Sequence, residues 1–460
     1  MNHKRVGRGR WPLLRPLLGT VLALPLVGCD LDTVLEVQDP DVAGTGQVEQ
    51  VTALPSVFGG VVGQFQLAYS GSAFTEGQIL TSGLLADEYV HSGTFPTRSE
   101  VDRRRIGVEN ATTQGVFRNL HRARRSAEAA EPLFVQNAPN DPRRSEVLSL
   151  GGYTYIFFGE NYCSGVPFSQ FVSATQQEFG PPQTTEQMLN TALQRFDRAL
   201  QVATAANDTG TINLARIGRG RALLNLGRYE EAAAAVRDVP TDYAYFILHS
   251  ANSTAQTNGE WSFVNSQERW SVAEREGGNG LNYRSANDPR VQWAPDPGDG
   301  RGFDRSTPQF YQFKYPDRAA PVPLADGNEA RLIEAEVAMR NGNIAGSIQI
   351  LNALRARAGV SATTGQPLLP ALSATGLTQN QGIDLVFRER AFWMWQTSHR
   401  LGDLRRLART RLGGYGRGTE AVFPTGAYFK GGTYGSDVNL PVSVDELNNP
   451  EFRQCIDRLP

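Results

Sequence analysis

Apolar residues recur three and four positions apart along much of the chain, and the recurrence is densest over residues 381–409. Ile383, Val386, Phe387, Met394 and Trp395 fall on one stripe of a helix, which predicts a buried face, while Arg388, Arg390 and Gln396 fall where side chains stay in water. Gly402 interrupts the run. The carboxylate of Asp403 is then placed to accept from the free N–H groups that open a second helix, with Leu404 and Leu407 inward and Arg405, Arg406 and Arg409 outward. The same spacing predicts helices within 50–88, over 112–131 and 143–158, and over 184–205. The last opens on the cap Thr184-Thr185-Glu186 and carries Met188, Leu189, Leu193, Phe196 and Leu200 on one face. Residues 213–236 place Gly220, Leu223, Leu224, Gly227, Tyr229 and Ala232 as in a tetratricopeptide hairpin, where small residues about twelve positions apart meet at the helix crossing. Residues 328–358 repeat this less closely through Ala335, the Asn341-Gly342-Asn343 turn and Ser347. Such hairpins bury their faces only against neighbours. The expected fold is therefore mainly α, with a tetratricopeptide-like helical-repeat scaffold over about 48–243 and 326–411.

Between 244 and 325 the helical period is lost, yet Trp261, Phe263, Trp270, Tyr283, Trp293, Phe303, Phe310, Tyr311, Phe313 and Tyr315 stand there among Gly, Asn, Asp and Pro. A long loop-rich insertion held on a rigid scaffold is where a recognition surface is expected. At least one of Trp261, Trp270 and Trp293, each near polar or turn-forming residues, should show a ring face to solvent, with Tyr283 beside them. Trp393 and Trp395, on the helical stripe, are expected in the core. Residues 412–460 read as an irregular closing segment.

The first residues change the picture. Lys4, Arg5, Arg8, Arg10 and Arg15 precede a short apolar run broken by Pro16 and Pro25, which ends in Leu26-Val27-Gly28-Cys29. This reads as a signal peptide over 1–28 with a bacterial lipobox, so that Cys29 is acylated and 29–47 forms a tether. Without those five cations 40 basic and 47 acidic side chains remain, a formal charge of −7, which argues against nucleic acid as a partner. Cys163 and Cys455 could pair in an oxidising compartment, but two cysteines fix no framework. No phosphate-binding glycine loop, H-E-x-x-H or G-x-S-x-G is present, so no cofactor, metal or catalytic set is expected. Asp296, Asp299 and Asp304 do not follow the spacing of a calcium loop and read as a solvated turn.

Glu389-Arg390, nine residues, and then His399-Arg400 with Asp403-Leu404-Arg405-Arg406 resemble the signature helix of the SusD/RagB family, although the family's usual acidic residue near Trp393 and E-G pair near Thr397 and Ser398 are missing. Leu85-Ala86-Asp87-Glu88-Tyr89, the Gly165-Val166-Pro167-Phe168 loop, and Leu440-Pro441-Val442 with Glu446 and Asn449-Pro450 resemble further family patches. The resemblance implies one SusD-like domain over 48–460 on an outer-membrane lipoprotein facing the cell surface. It implies binding of an oligomeric nutrient, glycan before peptide, and delivery to a TonB-dependent barrel without chemistry. By the same resemblance Asp87, Glu88 and Tyr89 lie near the ligand, opposite the insertion's tryptophans. A helical assembly lipoprotein without a small ligand and a surface glycoside hydrolase are the rival expectations, since the separation of two carboxylates is a tertiary property.

Overall fold

The computed structural model describes residues 51–171, 176–360 and 366–460. The signal segment 1–28, Cys29 and the tether 29–47 lie outside the described residues. Helices α1 (Leu54–Ser70), α2 (Gln78–Leu85), α3 (Pro96–Asp102), α4 (Ala111–Asn137) and α5 (Pro142–Asn161) open the fold. Asn110 caps α4 by accepting from the Thr113 N–H, and Asp141 caps α5 with Pro142 in the first turn, where the missing N–H costs nothing. Next come α6 (Thr185–Ala206), α7 (Thr209–Asn225) and α8 (Tyr229–Val236). A capping box starts α6 at the expected Thr184, but Gln187 is the reciprocal partner, because only the third helical position reaches back to the cap's N–H.

These helices pack as antiparallel neighbours through the small residues the pattern singled out. A Cβ on Gly220 would lie 2.5 Å from Val236, so α7 and α8 cross at that glycine. The Phe196 ring of α6 fills the space opposite glycines of two other helices: a Cβ would come within 2.8 Å of it at Gly152 and 2.2 Å at Gly218. After the single turn α9 (Gly259–Trp261), the second hairpin is formed by α10 (Gly327–Arg340) and α11 (Ile344–Ala356). Ser347 there donates its hydroxyl to the Ala335 carbonyl at 2.7 Å. The fold is mainly α and tetratricopeptide-like, as the periodicity predicts.

The last pair, α12 (Gln379–Trp393) and α13 (Arg400–Ala408), departs from expectation in where it bends and in what it exposes. The corner is 394–399, with Gln396 and Ser398 at φ 57° and 58°. Gly402 lies inside α13, where a Cβ would come within 3.0 Å of Glu160 on α5. Asp403 is not a cap: it accepts from the Arg390 and Arg406 guanidinium groups. Arg390, Gln396, Arg405, Arg406 and Arg409 are buried rather than wet. Carboxylates and carbonyls accept from the arginines, Arg405 by itself donating to the carbonyls of Gly159, Glu160 and Tyr162, while Nη1 of Arg390 and Nε of Arg405 and Arg409 are covered without a partner.

The 244–325 insertion forms short antiparallel strand pairs: Tyr89–His91 with Trp270–Val272, Trp293–Pro295 with Phe310–Gln312, and Val322–Asp326 with Ala244–Ile247. Its root is apolar, since Val272, Tyr283 and Val291 pack on Phe392 and Trp395 of the α12 region. Cys163 and Cys455 form a disulfide, which ties the closing segment to the end of α5 beside the Ile456 N–H to Ser164 carbonyl bond.

Candidate functional site

The acidic patch expected near the ligand is a buried joint. Asp87 receives both prongs of the Arg400 guanidinium at 2.6 and 2.7 Å and accepts from the Leu281 N–H. Glu88 accepts from the Gln396 N–H at 2.8 Å, and burial lifts its carboxyl to about 8. Tyr89 donates its hydroxyl to the buried Glu260 at 2.6 Å. Asp87 and Glu88 fasten the first strand to the α12–α13 corner, Tyr89 fastens it to the α9 turn, and none of the three reaches the surface. Trp270 and Tyr283 are also fully buried, contrary to expectation. Trp270 packs edge-on to Phe263 with the Arg98 guanidinium 4.7 Å from its ring, and Tyr283 packs against Phe392 and Trp395. The reason is pairing: Trp270 lies opposite His91 in a two-stranded ladder covered on both faces, which nearby turn residues could not reveal. Trp261 and Trp293 are partly exposed, but no ring contact joins them; Trp293 packs edge-on to Phe310, beneath Arg284.

Exposed rings gather instead where the strand pair ends. Past His91 the chain leaves the ladder, and the Ser92 N–H donates to the Arg269 carbonyl while the Ser92 carbonyl accepts from the Asp304 N–H. The Phe303 N–H donates to the Glu268 carbonyl at 2.9 Å. Gly302 passes so close that a Cβ would lie 2.4 Å from that of Ser92, so only glycine admits the contact. Three loops are thus stitched together, and they present Phe95 and Phe303 with 48% and 46% of their surface in water. Between the rings in the chain of contacts is Arg269, its Cζ 3.8 Å from the Phe303 centroid and 5.2 Å from that of Phe95. Arg98 extends the ladder, 4.4 Å from the Phe95 centroid and paired with Glu76, two residues after the exposed Phe74.

A fourth loop, 426–434, closes the other side. Its Lys430 ammonium pairs with Asp304 at 2.7 Å and donates to the Gly93 carbonyl, which positions the half-exposed Phe429. Burial opposes the Asp304 charge, but Lys430 and the Thr307 and Ser306 N–H groups outweigh it and hold the carboxyl below its usual range. Two acid–tyrosine bonds anchor this loop, Tyr428 to Asp102 at 2.8 Å and Tyr434 to Glu276, and burial raises both carboxyls. Burial, with Lys430 and Arg98 nearby, pushes the His91 imidazole down to about 3, so it is neutral beneath the ledge. Flat rings beside in-plane donors can stack on apolar C–H faces and bond hydroxyls or carboxylates. Sequence reasoning passed over Phe95, Arg269, Phe429 and Lys430 and gave Phe303 no special place. One shared signal was available: each phenylalanine has Gly or Pro within two residues (Gly93 and Pro96, Gly302, Gly431) and lies off any helical stripe.

Residues 329–448 match the SusD family, and they contain the α12–α13 corner to which the ledge is rooted. Over that stretch the chain is similar to the SusD family. The fold agrees. A SusD superfamily protein from Bacteroides thetaiotaomicron superposes with a TM-score of 0.64 at 13% identity, over 89% of this chain and 100% of its own. One from Bacteroides vulgatus gives 0.60 at 15%, over 88% and 98%. Surface glycan-binding protein A from B. thetaiotaomicron, solved in complex with laminarihexaose, gives 0.64 at 13%, over 88% and 99%. No curated protein matches this chain in sequence.

Proposed function

We propose that this chain is a SusD-family outer-membrane lipoprotein, acylated at Cys29, that captures an oligomeric nutrient on the Phe95–Arg269–Phe303 ledge and passes it unaltered to a TonB-dependent barrel. The observation that carries the reading is the ledge: exposed phenyl and guanidinium groups from separate loops, locked by backbone bonds onto a helical scaffold. Flat rings suit the C–H faces of pyranoses, which favours a glycan over a peptide, and a protein of similar fold is known in complex with laminarihexaose. The ledge's carboxylates are each engaged, Glu76 and Asp304 in ion pairs and Glu268 by the Tyr311 hydroxyl, which favours binding over hydrolysis. Trp261 and Trp293 are secondary contacts for a longer ligand. Acyl chains at Cys29, each methylene contributing about 0.8 kcal/mol, are sufficient to hold the chain on a membrane.

Calorimetric titration with a panel of neutral and acidic oligosaccharides tests the reading. The parent should bind at least one member without cleaving it, and Phe95→Ala and Phe303→Ala should weaken that binding while both proteins stay folded. Failure to bind any member, with no large β-barrel recovered from native membranes in mild detergent, would move the chain to the assembly class. Cys29→Ala should appear in the soluble fraction; retention in the membrane at parental levels would remove the anchor from the proposal.

A further inference from the structure

Cations on the ledge are matched by acids, with one exception. Arg98 has Glu76 and Lys430 has Asp304. Glu268, next to Arg269 in the chain, accepts instead from the Tyr311 hydroxyl at 2.7 Å. Among the described residues Arg269 has no acidic partner, and its guanidinium reaches no acceptor, the covered Nη1 included. This is notable in a chain whose arginines are otherwise so often engaged by carboxylates, and whose formal charge beyond residue 28 is −7. A surface of that sign repels anionic polymers in general, so a single unpaired cation among exposed rings acts locally.

We infer that the ledge selects acidic glycans, with Arg269 taking the carboxylate of a uronic acid residue. All guanidinium donors lie in one plane; with Cζ over the Phe303 ring and Nη1 covered, Nε and Nη2 are the edge left to an acceptor. A carboxylate is the acceptor whose two oxygens fit the fork. The neighbouring ring faces call for a pyranose. A pyranose bearing its carboxylate at C6 meets both demands in one residue, whereas a neutral glucan offers only hydroxyls and leaves the fork half used. Selection of this kind presupposes that the ledge is the binding surface, as proposed above.

The test compares a neutral β-glucan hexasaccharide with the same hexasaccharide oxidised at C6 to glucuronate, titrated into the mature parent, Arg269→Gln and Arg269→Met. The parent should prefer the oxidised ligand by about tenfold, the scale of one charge-assisted fork, and the preference should shrink as salt is raised. Both variants should lose the preference to within about twofold, the ratio of the two affinities being read within each protein. Equal binding of the two ligands by the parent overturns the selection and leaves the glycan-binding reading standing. A preference that survives in both variants overturns the role of Arg269. Binding of neither ligand, nor of any other oligosaccharide in the panel, overturns the selection and the glycan-binding reading together. Phe303→Ala is a separate arm: it should weaken both ligands, the neutral one through the lost stacking face and the oxidised one also through the lost wall behind Arg269.

Discussion

In the α12–α13 corner Arg390 and Arg406 share Asp403, Arg406 also grips Glu336, and Arg400 forks onto Asp87, all shut away from water. On the ledge Arg98 and Arg269 lie against the rings of Phe95 and Phe303, and among the described residues Arg269 has no acidic partner. The same side chain therefore does two different things. Where carboxylates converge from several helices, the guanidinium is a bolt whose geometry is fixed by bidentate bonds, and the cost of burying its charge is offset only if every partner stays in place. Where phenyl faces are exposed, it is a flat polar tile that orders a surface while its edges stay unused. The contrast separates what holds this molecule together from what it offers to a ligand.

The bolt is the easiest half to break. Asp403→Ala would strand two buried guanidinium groups, whose attraction holds the Asp403 carboxyl below its usual range against the effect of burial. A loss of about 3–5 kcal/mol is expected in urea unfolding, as for other buried pairs deprived of one partner. A loss under about 1 kcal/mol would mean that the corner does not depend on this network. Trp270→Ala belongs on the same side of the comparison and should cost about 3–5 kcal/mol, because its ring is enclosed between Phe263 and Arg98. The partly exposed Trp293 should cost about 1–2 kcal/mol when replaced by Ala. Equal losses for the two would erase the distinction between buried and surface aromatics in the insertion.

A smaller effect comes from Glu88, which lies in the bolt region without a matching arginine. Its folded-state carboxyl titrates near 8 against an ordinary 4.5, so the protonated form is the one the fold prefers. That contribution is complete below about 4.5 and is lost as pH rises through 8. Lys314, lowered to about 8 by burial, is charged in both folded and unfolded chains over most of this window and adds little slope there. His91 and His249, lowered to about 3 and 4 by burial, act in the opposite sense at acidic pH but only below their ordinary 6.5. Between about pH 6.5 and 8 the parent should therefore lose roughly 1–2 kcal/mol that Glu88→Gln retains. Parallel stability curves for the two proteins would show that Glu88 is not the titrating group.

How much of this was legible in the sequence follows the same division. Helical stripes and the Gly220 and Ala232 crossing could be read because burial imposes a period, and the period survives without knowledge of partners. The burial of Arg405, Arg406 and Arg409 could not. Charged residues on a helix face are ordinarily wet, and the groups that accept from these three come from distant stretches such as Gly159, Asn225 and Glu336. Asp87, Glu88 and Tyr89 are expected to face the insertion's tryptophans across a ligand, whereas in the structure they are buried, with Asp87 and Tyr89 bonded to the insertion. The ledge itself was hidden because Phe95, Phe303 and Phe429 lie on three segments far apart in the chain, brought together by the backbone bonds of Ser92, Phe303 and Asp304 and by the Lys430 contacts to Gly93 and Asp304.

The finest test of the comparison is Phe303→Ala. Its ring has nearly half its surface in water, so truncation removes little buried area, and the loop's position rests on the Phe303 N–H and Asp304 N–H bonds, which alanine keeps. Stability should change by less than about 1 kcal/mol, well below the cost at Asp403 or Trp270. Ligand affinity should nevertheless fall by about 1–3 kcal/mol, because the ring is both a stacking face and the wall that holds the Arg269 plane at 3.8 Å. Melting and titration measured on the same preparation decide between two pictures. If stability drops by several kilocalories, Phe303 is part of the core machinery despite its exposure. If affinity for a bound glycan is unchanged, the recognition surface lies elsewhere, and the partly exposed Trp261 and Trp293 become the next positions to truncate.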